Sequence, residues 1–148
     1  ARLYLIFSCL IFIEMETIRN TQLVVAKSDF DRLIHFLRNH EPELQYDRAR
    51  AQQLKEELGK AAVVSPSEMP ADMIRLYSRV VVRNTIAKQN NLYTLVLPNE
   101  TDLRQEKISI LSPMGIALLG ATKGETISLP SPRGQRFYTI LEVTSPVE

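Results

Sequence analysis

The chain has one cysteine, no tryptophan, few glycines and no excess charge, and each shortage removes a class of function. Cys9, alone among 148 residues, cannot close an internal disulfide, so nothing points to a disulfide scaffold or an oxidising compartment, and the cytoplasm is the expected location. Lys and Arg number 18 against 17 Asp and Glu, and a net charge of +1 gives no general pull toward nucleic acid or an anionic membrane. His35 and His40 lie five apart, a poor pair of helical ligands, and no cysteine or Glu-plus-His set completes a metal site. Gly115, Gly120 and Gly124 match neither a Walker nor a dinucleotide-binding spacing. No metal and no cofactor are expected.

Apolar residues make up 45% of the chain, enough for a core without metal or disulfide support. They are concentrated at the start, where residues 1–13 are apolar or aromatic apart from Arg2 and Ser8. That run is shorter than the ~20 apolar residues of a membrane helix and precedes no small-residue cleavage pattern, so no membrane partner is expected. Met15 opens a more ordinary beginning, and residues 1–14 are read as a non-native extension. So apolar a segment needs burial, on its own domain or on a second copy in a homodimer.

Residues 22–61 read as a helical hairpin. Ser28 with Asp31 resembles a capping arrangement, and Phe30, Leu33, Ile34 and Leu37 follow one helix face. Pro42 disfavours helix at Glu41, so the first helix should end near His40 after about eleven residues, or ~17 Å. The second should begin near Glu43, with Leu44, Ala51 and Leu58 seven apart, Leu54 and Ala61 at complementary positions, and Gly59 helping to end it.

Residues 62–148 change to strand patterning. Candidate strands cover 63–64, 75–83, 92–97, 107–111, 126–129 and 136–143, separated by Asn-Asn, Pro-Asn and Arg-Gly turn signals. One helix interrupts them: Ser112 can cap it, Pro113 occupies a first-turn position, and Ile116, Leu118 and Leu119 give it an apolar side. Gly120 supplies a left-handed exit. Strands with a single helix on one face make an α+β domain.

The run KISILSPMGIALLGATKGET (107–126), with the strand at 140–143, resembles the C-terminal domain of the bacterial Gre transcript-cleavage factors and of the smaller Rnk group, regulators of nucleoside diphosphate kinase. The linker from Val64 to Ile74, two prolines around Ser67-Glu68-Met69, and Ser78-Arg79-Val80 after it are more similar to Rnk than to the long Gre factors. The resemblance covers about residues 22–145. It implies an FKBP-like sheet domain and an RNA polymerase partner, with nucleic acid near but not directly bound.

Three candidate sites follow. The hairpin tip carries Glu41, Glu43 and Asp47. In long Gre factors an acidic pair at the tip enters the polymerase secondary channel and helps hold magnesium, but here no Asp and Glu stand three apart in that manner. A short arm would not reach the active centre, so transcript cleavage is not expected, and the acids serve equally well as solvated charges near a helix N-terminus. The second site is Ser112, Pro113 and Met114, which the resemblance places at the rim of the channel, with Met114 expected to be exposed. A plain helix start also explains these residues. The third is a basic row, Arg75, Arg79 and Arg83, sharing one strand face about 13 Å apart, either a contact for acidic surface or a solvated face. The expected function is a noncatalytic binding module. An active cleavage factor is the alternative, and prolyl isomerisation has only fold analogy behind it.

Overall fold

The computed structural model describes residues 22–146. The apolar run 1–14, and with it the expected burial on a second copy, lies outside them.

Strand β1 (Val24–Ala26) leads without a loop into helix α1 (Lys27–Asn39), and residues 40–44 turn the chain into α2 (Gln45–Gly59). Strand β2 (Ala62–Val64) then pairs in parallel with β1, Val24 opposite Ala62 and Ala26 opposite Val64, closing the hairpin at its base. Leu33, Phe36 and Leu37 of α1 and Ala51, Leu54 and Leu58 of α2 are buried, at the three- and four-residue spacings that place side chains on one helix face. Ser28 does not cap α1: the residue before the helix is Ala26, with no side-chain cap, and Ser28 lies inside the first turn. Leu44 also departs from expectation. It precedes α2 and is 67% exposed, so the seam of the second helix begins only at Ala51.

The larger sheet contains β3 (Arg79–Asn84), β4 (Asn90–Val96), β5 (Lys107–Ser109), β6 (Thr126–Ser131) and β7 (Gly134–Thr144), in the order β5-β4-β3-β7-β6. Only β4 and β5 run parallel; the other neighbours are antiparallel. Helix α3 (Pro113–Leu118) follows β5. The architecture is α+β. One apolar core joins the two parts of the chain, with Leu33, Leu54 and Leu58 of the hairpin in the same cluster as Ile74, Leu76, Val80, Leu95 and Leu118.

The strand expected over 75–83 begins only at Arg79. Tyr77 has φ 69°, a left-handed conformation that a strand does not admit, and Ser78 Oγ accepts a 2.8 Å hydrogen bond from the Arg75 amide, making a turn of this stretch. Arg75 is thereby taken off the sheet face. It is 5% exposed, and its Nε donates to Asp29 Oδ2 at 2.9 Å. The expected three-arginine row is reduced to exposed Arg79 and half-buried Arg83, the latter donating to the Asn90 side chain at 3.0 Å.

Candidate functional site: a groove between the hairpin tip and the Ser112-Pro113 corner

The corner after β5 is built by a compact set of hydrogen bonds. Ser112 Oγ accepts from the Gly115 amide at 3.0 Å, capping α3, and donates to the Ser109 carbonyl at 2.6 Å, while Ser109 Oγ accepts from the Leu111 amide at 2.9 Å. Pro113 stands exposed in the first turn of α3, where its missing N–H costs nothing. Gly115 is required by close approach, since a Cβ there would lie 2.0 Å from the Ser109 carbonyl oxygen. The helix leaves through Gly120 at φ +82°, as the sequence indicates. Met114 differs from expectation: it is half-buried and packs on the core, so Pro113 alone is the projecting apolar part of the corner.

The hairpin tip does not stand apart from this corner. Arg48 closes the turn between the helices, donating from Nε to the Pro42 carbonyl at 2.7 Å and from Nη2 to the Glu43 carbonyl at 3.2 Å. Two residues on, Arg50 is held by Asp47 Oδ1 at 2.7 Å and donates through Nε to the carbonyl of Leu111, the residue before Ser112. His40 stacks on Phe36 with ring centroids 4.4 Å apart and only 7° between planes.

These contacts bring the tip and corner together as the walls of an open groove of ≈ 850 Å³. Glu41, Pro42, Glu43, Leu44 and Asp47 form one wall; Pro98, Asn99, Thr101, Ser112 and Pro113 form the other. Glu41 and Glu43 are exposed, whereas Asp47 is engaged with Arg50. The three tip carboxylates therefore do not act as a set, and among the described residues no group of three or more His, Cys, Asp or Glu side chains is placed to hold a metal ion. Arg79 and Arg83 do not line the groove. No helix among the described residues is long and apolar enough to cross a membrane.

Sequence reasoning located two walls but not their contact, because it passed over Arg48 and Arg50. Cations at the start of a helix oppose its dipole, so two arginines so near the N-terminus of α2 are a readable sign that they serve something else.

A second polar cluster joins α1 to the sheet body. Arg32 sits 5.7 Å over the Tyr77 ring, and Tyr77 Oη donates to Glu100 Oε1 at 2.7 Å, linking α1 to the segment after β4. Burial, and then the hydrogen bond to the Glu100 carboxylate, push the Tyr77 phenol up to about 12.

Residues 69–145 match the family described as "Transcription elongation factor, GreA/GreB, C-term". The chain is 34% identical over 110 residues to the transcription elongation factor GreA of Prosthecochloris aestuarii, covering 67% of this chain and 69% of that one. It is 36% identical over 94 residues to GreA of Syntrophobacter fumaroxidans, covering 64% of this chain and 60% of that one. A solved structure, a prokaryotic transcription elongation factor GreA/GreB from Nitrosomonas europaea, aligns with a TM-score of 0.70 at 34% identity, covering 84% of this chain and 98% of that one. The chain belongs to the GreA/GreB transcription elongation factor family.

Proposed function

We propose that the protein is a Rnk-type member of this family: a cytoplasmic regulator that binds RNA polymerase near the secondary channel, is not an enzyme, and does not stimulate transcript cleavage. The observation that carries this reading is the short, docked hairpin. Helices of 13 and 15 residues rise only about 20 and 22 Å, and Arg50 holds their tip against the Ser112-Pro113 corner. Such a tip cannot stand at the rim of a large enzyme and also deliver carboxylates to a distant metal. Asp47 is already occupied by Arg50, which leaves Glu41 and Glu43 as the exposed carboxylates of this short tip. On this reading the sheet domain is the FKBP-like docking body, and nucleic acid lies nearby without direct contact.

The test uses purified core polymerase and backtracked elongation complexes. The expected result is retention of the protein by polymerase with no acceleration of RNA cleavage, and weakened retention for Pro113→Ala. Cleavage that disappears in Glu41→Ala/Glu43→Ala would instead establish a cleavage factor. Absence of binding would remove the reading altogether.

A further inference from the structure

The groove has one wall from the sheet body and one from the helical hairpin; the two share an apolar core, and at the groove itself Arg50 reaches from one to the other. Arg50 is 61 residues from the carbonyl that it reaches, and its hydrogen bond to Leu111 ties α2 to the corner by a directional polar contact in addition to their apolar packing. A second nitrogen of the same guanidinium, Nη2, is fixed by Asp47, which orients the planar fork toward the carbonyl. The turn beyond is closed independently by Arg48. The tip is thus internally ordered and separately fastened, which is what a recognition wall requires: a preset surface loses less freedom on binding than a swinging one.

The groove's charge is one-sided. Glu41 and Glu43 face solvent on the tip wall, while the cation that lines the groove with them, Arg50, is consumed by a carboxylate and a carbonyl, and Arg48, turned to the Pro42 and Glu43 carbonyls, does not line it. The opposite wall offers Pro98, Pro113 and the polar Asn99 and Thr101, with no charge. We propose that the hairpin tip is a fixed wall of the docking site, latched by Arg50 as a positioning residue, and that the groove takes a basic segment of the partner protein whose apolar side meets Pro113. This rests on the polymerase reading above and adds to it the chemistry of the partner's surface and the role of the hairpin. The arm becomes part of the grip rather than a probe.

Two measurements test it in the full chain. For the latch, Tyr46→Cys/Leu103→Cys in a Cys9→Ser background is spin-labelled at two exposed positions, and the distance distribution is recorded with and without Arg50→Met. A narrow distribution that broadens in Arg50→Met is expected, and an unchanged one overturns the latch. For recognition, affinity for core polymerase is measured with unlabelled protein. Arg50→Met should lose roughly tenfold, with Arg50→Lys recovering only part because it lacks the fork that reaches two acceptors. Glu41→Gln/Glu43→Gln should keep the narrow distance, lose roughly five- to tenfold at low salt, and converge on the parent as salt rises.

Parent-like affinity in Arg50→Met despite a broadened distance would show that the tip is not a wall. Parent-like affinity in Glu41→Gln/Glu43→Gln would exclude a basic partner segment. If Arg50→Met fails to fold, Asp47→Asn, which removes only the carboxylate that orients Arg50, carries the same expectations. A parent protein that does not bind polymerase overturns the functional reading, while the distance measurement still decides the latch, so the two failures are distinct.

Discussion

Asp29 Oδ2 accepts a hydrogen bond of 2.9 Å from Arg75 Nε, with the two side chains only 2% and 5% exposed. This pair joins the first turn of α1 to the turn that precedes β3, across 46 residues of sequence. Arg32 adds a second, more exposed cation to Asp29, its Nη1 3.8 Å from Oδ1. Besides the shared core, polar contacts fasten the hairpin to the sheet body near its base, through Asp29 and Arg75, and near its tip, through Arg50.

Removing one member of a buried pair strands the other charge. Asp29→Leu and Arg75→Met are each expected to lower unfolding free energy by about 3 to 5 kcal/mol, and the two together by less than the sum, read from urea denaturation. Additive losses would show that the two groups do not act as a pair.

Tyr77 should be among the last tyrosines to ionise. Its phenol is raised from 10 to about 12, first by burial and then by Glu100. The unfolded chain releases this proton at lower pH than the folded one, so the associated stability is fully present below pH 10 and is lost as pH rises toward about 12. Spectrophotometric titration should show a late tyrosinate step that Tyr77→Phe abolishes, and Glu100→Gln should move that step to lower pH.

The corner depends on two residues to different degrees. Ser112→Ala removes the α3 cap and should cost about 1 kcal/mol. Gly115→Ala must push the Ser109 carbonyl away from a Cβ that would sit 2.0 Å from it, and should cost roughly 3 kcal/mol. Equal costs in chemical denaturation would contradict the close approach.

Leu44 and Leu58 occupy equivalent heptad positions in the sequence but different places in the structure. Leu58→Ala opens a cavity in a site 2% exposed and should cost about 2 to 5 kcal/mol. Leu44→Ala, at the exposed tip, should change stability by less than about 0.5 kcal/mol. Comparable losses would place Leu44 in the seam after all.

Local chemistry was the readable part of this fold. The cap at Ser112, the proline after it, the glycine exit at Gly120 and the α+β order all follow from residue type and spacing, because each is decided within a few residues. Strand β1 escaped because three residues carry no period, and the hairpin's base became visible only through its pairing with β2. Alternation extends the strand backward through Tyr77 to Arg75, because no residue type there marks the left-handed backbone that Tyr77 adopts. Both candidate walls of the groove were named from sequence as unrelated sites. Their union depends on Arg50 and Leu111, 61 residues apart, and no local rule reports such a pair.

The parallel pairing of Val24–Ala26 with Ala62–Val64 also bears on how members of this family come to differ. It sets the two feet of the hairpin on neighbouring strands spaced about 4.8 Å, the chain leaving at Ala26 and returning at Ala62, opposite Val24, whatever lies between them. Whole helical turns can then be inserted symmetrically above those feet, ~5.4 Å at a time, without moving the sheet beneath. Arm length becomes an interchangeable module that can change through insertion alone.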